Sequence, residues 1–149
     1  MTVTISRYNQ TAKKFLNNEI ALNDINFMLL DNTATFTAAH TALASVAGTL
    51  AGGHYPKELY GNGWAEGGPQ LASVAITIVD TNKAMLDADD ISITASGGPL
   101  PPTKAYKGLI YEKTSGDVLF FVDFGDDEQA GDGTAFKVIF NANGIMRVG

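Results

Sequence analysis

The sequence predicts a mainly β fold: a single-domain β-sandwich or jelly-roll-like barrel with an extended N-terminal arm and one or two short helices. A chain of 149 residues has the usual size of one domain. Its second half contains short runs rich in Ile, Val, Phe, Tyr and Thr, separated by turn residues, which is typical of the strands of a sandwich or barrel. The predicted strands are residues 73–80, 90–95, 106–113, 118–124, 134–140 and 144–148. Ser115-Gly116 and Asn143-Gly144 indicate tight turns between such runs.

The first 18 residues are predicted to form an arm that contains a short helix. Val3 and Ile5 alternate with threonines, and apolar side chains then recur at the helical positions Tyr8, Ala12, Phe15 and Leu16. Ser6 has the chemistry of a helix N-cap. The predicted organisation is therefore an arm over residues 1–18 and a β domain over residues 19–149.

Three further segments complete the predicted fold. Residues 24–30, Asp-Ile-Asn-Phe-Met-Leu-Leu, are typical of a largely buried strand, and residues 37–46 have the apolar spacing of a short helix. Residues 48–69 are rich in glycine and predict a long loop, which in a compact domain usually has a function or is ordered by a neighbour. Residues 97–102 contain three prolines, so we expect a rigid extended connection there rather than a central strand.

The composition excludes several classes of protein. Without cysteine, the chain forms no disulfide, thiolate nucleophile or cysteine-ligated zinc site. Its net charge of -6 argues against nucleic-acid binding, which needs a basic footprint. Neither a membrane span nor the apolar core of a secretory signal is evident. Charged residues make up only 17%, which suggests that part of the surface contacts other proteins.

Two acidic clusters, 87–90 and 123–132, are the first candidates for chemistry. Such carboxylates coordinate calcium in some turns, but here the order of ligands of a calcium loop is missing, and we interpret them as solvated turns. A pair of catalytic acids, as in glycosidases, is a second alternative, but nothing in the sequence marks one of these carboxyl groups for a raised pKa. Asp123-Phe124-Gly125 matches the kinase metal-binding triplet by chance, since the other kinase motifs are missing.

The two histidines, His40 and His54, do not occur at metal-ligand or catalytic spacing, and no nucleophile elbow accompanies them. We therefore predict that the protein is not an enzyme, with no catalytic residue, no cofactor and no bound metal.

Aromatic and basic side chains are the candidates for protein contact. Trp64, Tyr55 and Tyr60 in the predicted loop either anchor a partner or a sugar, or pack the loop onto the sheet. The arm carries Arg7, Lys13 and Lys14 and no acid, whereas most acids lie between residues 87 and 132. This asymmetry either places the arm of one subunit against an acidic neighbour or is ordinary solvated charge.

The order of these motifs resembles a family of small virion structural proteins of tailed bacteriophages, some of which are capsid cement (decoration) proteins. Nearly the whole chain takes part, with the strongest likeness in its C-terminal half. The resembling segments are Tyr8-Asn9 with Phe15-Leu16, residues 24–30, a short helix that begins near Phe36 and contains His40, Gly61-Asn62-Gly63-Trp64, and residues 86–94, 109–113, 121–125 and 140–148, the last as a closing hairpin.

The resemblance implies a cement protein that binds the outside of the major capsid lattice and stabilises it between neighbouring capsomers. It also implies a homo-oligomer, as a trimer, made in the host bacterial cytoplasm and located on the outer surface of the virion capsid. The net charge and the lack of a long apolar stretch lead us to expect no nucleic-acid or membrane partner. Neck or tail structural proteins and a carbohydrate-binding β domain remain alternatives. The candidate contact residues are Arg7, Tyr8, Lys13, Lys14, Phe15, Tyr55, Tyr60 and Trp64.

Overall fold

The computed structural model of the chain describes residues 3–80 and 83–148. Two helices and ten strands lie within these ranges. The helices are α1 (Asn9–Leu16) and α2 (Leu43–Ala47). The strands are β1 (Thr4–Arg7), β2 (Ile25–Leu30), β3 (Glu58–Leu59), β4 (Ala75–Asp80), β5 (Lys83–Asp87), β6 (Ile91–Thr94), β7 (Leu100–Glu112), β8 (Val118–Ala130), β9 (Ala135–Val138) and β10 (Met146–Val148).

The strands form antiparallel sheets, which confirms the predicted mainly β, sandwich-like fold. A central five-stranded sheet has the order β1-β8-β7-β2-β3. Two smaller sheets, β10-β5-β4 and β6-β9, supply side chains to the hydrophobic core on one face of the central sheet. Among the described residues, no helix is both long enough and apolar enough to cross a bilayer.

The middle of the central sheet is buried on both faces, as strand β2 shows. All six residues of β2 are buried. Phe27 and Leu29 point into the core shared with the two smaller sheets, whereas Met28 and Leu30 point into a second cluster with Tyr8 and other side chains of the opposite face. A strand covered on both sides needs a continuous apolar run, which is the pattern that predicted it. Gly108 of β7 leaves room for the ring of Phe27, because a Cβ there would lie 2.5 Å from Phe27 Cζ.

The described part of the predicted arm packs on its own sheet. β1 pairs with β8, placing Ser6 opposite Phe121. The helix therefore begins at Asn9 rather than next to Ser6, because Ser6 is held in the extended conformation of a strand. Thr11 of α1 is buried and donates its hydroxyl hydrogen to the carbonyl oxygen of Leu119 at 2.6 Å. The described part of the arm therefore belongs to the folded domain.

Several predicted bounds and connections need correction. The helix predicted over residues 37–46 is confined to Leu43–Ala47, with turns before it. Two of the three prolines of residues 97–102, Pro101 and Pro102, do enter a strand, because β7 begins at Leu100, opposite Ala130. They are tolerated there because the register of the β7–β8 ladder is interrupted between Leu100 and Ala105.

The closing hairpin expected over residues 140–148 is not formed. β9 pairs with β6 instead, and β10 pairs with β5, so the two C-terminal strands belong to different sheets. Asn143-Gly144 still lies in a turn, in which the Gly144 amide donates to the carbonyl oxygen of Asn141 at 2.8 Å.

The glycine-rich segment 48–69 is an ordered loop that follows the edge of β2. β3 pairs with Leu29 and Leu30, and the amide of Phe27 donates to the carbonyl oxygen of Pro69 at 3.0 Å. The loop thus covers an edge of the central sheet that would otherwise be open.

Candidate functional site

Two of the eight predicted contact residues are buried in the chain and so unavailable to a partner in this structure. Tyr8 packs against Phe36, with ring centroids 5.0 Å apart, and burial raises the pKa of its hydroxyl. Trp64 contacts the rings of Phe27 and Phe136, with centroids 6.3 and 5.5 Å away. Both are corrected to core residues, because their large apolar surfaces fill the two sides of the central sheet. Of the two alternatives for Trp64, packing of the loop onto the sheet is the one observed.

Lys14 is engaged within its own chain. Its Nζ lies 2.6 Å from Glu112 Oε1 and 2.9 Å from Asp117 Oδ2. Burial by itself lowers the pKa of Lys14, but the hydrogen bonds to the two carboxylates outweigh it and raise this pKa above its usual value. Lys14 therefore ties α1 to the turn between β7 and β8.

The five remaining candidates differ in how much surface they offer. Arg7 and Lys13 are exposed, whereas Phe15, Tyr55 and Tyr60 are half-buried against the core. Among the eight, the accessible charge of the arm is therefore carried by Arg7 and Lys13.

The 48–69 loop contains a compact polar cluster that the sequence spacing did not indicate. His54 Nδ1 lies 2.8 Å from Glu66 Oε2 and 3.1 Å from the Tyr60 hydroxyl. The Tyr60 and His54 rings stack with centroids 6.0 Å apart. Burial, reinforced by Glu66, raises the pKa of Tyr60. These contacts hold the loop in its observed shape.

Glu58 lies beneath the same loop. It is buried and accepts a hydrogen bond from the Gly67 amide, while the Tyr111 hydroxyl donates to the carbonyl oxygen of Gly67. Burial raises the pKa of Glu58 to about 7, with nearby Glu66 acting in the same direction and the Gly67 amide opposing it. The loop is thus clamped at Gly67 by two buried polar side chains.

Two acids of the 123–132 cluster form local ion pairs. Asp123 is 2.8 Å from Lys107 Nζ, and Asp127 is 2.9 Å from Lys104 Nζ. The hydrogen bonds from Lys107 and from the Gly125 amide hold the pKa of Asp123 below its usual value. In the part of the chain that the structure describes, no three Asp, Glu or His side chains lie close enough together to hold a metal ion.

A groove of about 440 Å³ opens between the edge of the central sheet and strand β9. It lies in the range of ligand-sized pockets, which is about 300–1,000 Å³. Val3 and Ile5 line it from β1 and the residue before it, Phe124 from β8, and Phe136 and Ile139 from β9 and the residue after it. Its polar lining includes Glu128 and Lys137. The sequence did not reveal the groove, because its walls come from opposite ends of the chain.

The hairpin β4–β5 presents a second apolar surface. Ile76 is half-buried against the core, but Ile78, two residues further along the same face, is 87% exposed. The adjacent Val79 is also exposed. The inner face of β4 therefore packs on the core at Ile76 and extends beyond the core at Ile78. β4 also lies at the edge of its sheet.

Comparison of the chain with protein-family models, curated proteins and solved structures finds no match. The resemblance to bacteriophage virion proteins accordingly stays a prediction.

Proposed function

We propose that this chain is a capsid cement protein of a tailed bacteriophage. In this role it binds the outside of the major capsid lattice as a homo-oligomer, a trimer in the family it resembles, and stabilises neighbouring capsomers. Its role is structural rather than catalytic. It is made in the host cytoplasm and resides on the outer surface of the virion.

One structural observation carries the proposal: a tightly packed β body that leaves two apolar surfaces uncovered at strand edges. One is the groove lined by Ile5 and Ile139, and the other is the projecting hairpin with Ile78. Edge strands with exposed apolar side chains pair readily with another chain, and most monomeric proteins blunt them. A subunit that is built into a particle can use both surfaces as contacts with neighbouring proteins.

The sequence resemblance supports the bacteriophage assignment. The burial of one aromatic side chain argues against the carbohydrate-binding alternative. That alternative used Trp64 with Tyr55, Tyr60 and the acids, but its central aromatic, Trp64, is buried between Phe27 and Phe136. We therefore do not retain it as a second function.

A sedimentation assay tests the proposal. Expanded capsids of the phage that encodes this chain, prepared without it, are mixed with the purified protein, and bound protein is measured in the capsid pellet. We expect saturable binding and a higher temperature of DNA release from filled heads. Absence of binding to capsids would contradict the cement function.

The same assay tests the basic arm as a contact. Lys13→Glu reverses an exposed charge on α1, and Lys113→Glu makes the same change at an exposed residue of the turn that follows β7. We expect Lys13→Glu to weaken capsid binding and Lys113→Glu to leave it near wild type. Equal binding by both variants would exclude α1 as a contact with the capsid while leaving the cement function in place.

A further inference from the structure

We propose that the side chains of Lys14 and Asp117 condense into an intramolecular amide (isopeptide) bond, with Glu112 as the group that transfers the protons. The bond ties α1 covalently to the turn between β7 and β8, 103 residues further along the chain. All three reacting side chains belong to this chain. The inference is therefore independent of the proposed function, since a chain with or without the bond could bind a capsid.

The three side chains meet at one nitrogen atom. Lys14 Nζ lies 2.6 Å from Glu112 Oε1 and 2.9 Å from Asp117 Oδ2. The carbon that the amine attacks, Cγ of Asp117, is bonded directly to Oδ2. Two groups held in contact by a fold can react with an effective concentration of about 10⁵ M or more, because folding has already removed their freedom to separate. The geometry therefore favours a condensation that is unfavourable between separate molecules in water.

Hydrogen bonds of the surrounding elements hold the reacting groups in place. Gln10 of α1 donates from Nε2 to the carbonyl oxygen of Val118, the first residue of β8, at 2.7 Å. Asp117 directly precedes that residue, and its own carbonyl oxygen accepts the amide hydrogen of Glu112 at 2.9 Å. α1, the end of β7 and the start of β8 are thus linked around Lys14 before any covalent bond forms.

Glu112 is placed to transfer protons, and Asp117 to lose an oxygen atom. The side chain of Glu112 is 4% exposed, whereas that of Asp117 is 34% exposed, so water can leave from the aspartate. Glu112 Oε2 accepts the amide hydrogen of Ala21, but among the described residues no donor other than Lys14 reaches Oε1. A group that takes up a proton must lie within hydrogen-bond reach of it, as Oε1 does.

The reaction is a dehydration. The Lys14 ammonium gives one proton to Glu112 Oε1 and regains its lone pair, which attacks Cγ of Asp117 and forms the C–N bond. Glu112 passes its proton to an oxygen of Asp117 and then relays a second proton from the nitrogen to the same oxygen. The C–O bond breaks and water leaves. One hydrogen stays on the amide nitrogen, Glu112 ends as the carboxylate it was, and nothing is oxidised or reduced.

The reaction should be slow. Burial lowers the pKa of Lys14, but its hydrogen bonds to Glu112 and Asp117 outweigh this effect and raise the pKa above its usual value. The neutral amine is therefore scarce, and the ion pair of the three side chains is the state that precedes the reaction. We expect the bond to accumulate in the folded chain rather than to form during folding.

A second lysine–aspartate pair of the chain is a matched comparison. Lys107 Nζ lies 2.8 Å from Asp123 Oδ2, which is the same pair of groups at nearly the same distance. Among the ion pairs of the described residues, no glutamate contacts Lys107, whereas Glu112 contacts Lys14. We therefore expect no amide bond at Lys107, because proximity without a proton-transfer group is not sufficient.

Mass spectrometry of the purified full-length protein tests the inference. The protein is incubated at neutral pH until its intact mass no longer changes, and that mass should be lower than the mass of the sequence by one water. Proteolysis and fragmentation should then identify one branched peptide that joins Lys14 to Asp117, with Lys107 and Asp123 unmodified.

Three variants test the role of each side chain. Lys14→Arg keeps a positive charge beside Glu112 but removes the primary amine, and Asp117→Ala removes the carboxyl group at a half-buried position. Glu112→Gln keeps both reacting groups but no longer accepts a proton. All three should keep the full mass of their sequences, with the folded state of each verified by circular dichroism. Lys107→Arg is the control and should lose one water like the wild type.

The inference is overturned if the folded wild type keeps the full mass of its sequence. It is also overturned if Lys14→Arg still loses one water, since a succinimide at Asp132-Gly133 produces the same loss without any lysine. A branched peptide in the folded Glu112→Gln variant, or one at Lys107 and Asp123 in the wild type, would contradict the role of Glu112.

Discussion

Lys14 of α1 and Glu112 at the end of β7 form an ion pair, 2.6 Å apart, in which the glutamate is only 3% exposed. Glu112 also accepts a hydrogen bond from the amide of Ala21 at 2.8 Å. One buried carboxylate therefore fixes both α1 and the segment that leads from it to β2.

Lys14→Met should destabilise the fold by about 3 kcal/mol, because it leaves Glu112 buried without its cation. The measurement is urea denaturation, with Lys13→Met as the control at an exposed neighbour, expected within about 0.5 kcal/mol of wild type. The double variant Lys14→Met with Glu112→Gln should recover part of the loss, since it removes the buried charge. Equal stability of Lys14→Met and Lys13→Met would contradict a structural role for the pair.

This pair changes how the arm should be tested for capsid contact. Deleting residues 1–18 would remove β1, the buried Tyr8 and the partner of Glu112 together. Loss of binding by such a truncation would report unfolding as readily as a lost contact, so surface charge reversal is the cleaner probe.

Glu58 should make stability depend on pH in the neutral range. Its pKa is about 7 in the folded chain, above the ordinary value of 4.5, so the folded state holds a proton that the unfolded state has released between these values. Its favourable contribution is fully present below about pH 4.5 and is lost as the pH rises to 7. The loss amounts to roughly 3 kcal/mol if the whole shift is expressed.

Glu58→Gln removes this dependence while keeping an oxygen that can accept the Gly67 amide hydrogen. The variant should gain stability relative to wild type as the pH increases from 5 to about 7.5, as measured by urea denaturation at each pH. A difference between the two proteins that stays constant over this range would contradict the raised pKa.

Gly68 should not tolerate a side chain. Its φ is +77°, and a Cβ there would lie 1.6 Å from the carbonyl oxygen of Phe27, which is backbone and cannot rotate away. Gly68→Ala should therefore destabilise the fold by about 3 kcal/mol or more. Gly53→Ala is the control, because Gly53 has a similar φ of +83° but open space around it, and it should cost only about 1 kcal/mol. Similar effects of both changes would show that the loop does not lie against β2 at Gly68.

Trp64 should behave as a core side chain in fluorescence. As the only tryptophan, buried between Phe27 and Phe136, it should emit at short wavelength and be protected from iodide quenching. Titration with oligosaccharides should leave its emission unchanged. A long-wavelength emission that shifts on adding a glycan would restore the carbohydrate-binding alternative.

The sequence predicted those strands whose pattern is set by their own residues. Residues 24–30 are apolar at nearly every position, and burial on both faces of a sheet requires that pattern. β5, with the sequence Lys-Ala-Met-Leu-Asp, was not predicted, because its residues have low β propensity. It forms because β4 and β10 pair with it on its two sides.

The candidate site was less predictable because exposure depends on distant parts of the chain. Trp64 lies in a glycine-rich loop that looks solvent-exposed in sequence, and only the packing of Phe27 and Phe136 around it makes it a core residue. The groove likewise joins Ile5, Phe124 and Ile139, whose proximity no local pattern encodes.

The cement function is tested most directly by the number and position of copies in purified virions of the phage that encodes the chain. Quantitative mass spectrometry against the major capsid protein, combined with cryo-electron microscopy, measures both. The account predicts hundreds of copies per particle on the outer surface of the capsid, between capsomers. A handful to dozens of copies at the neck or tail would assign the protein there instead, and its absence from virions would contradict a structural role in the particle.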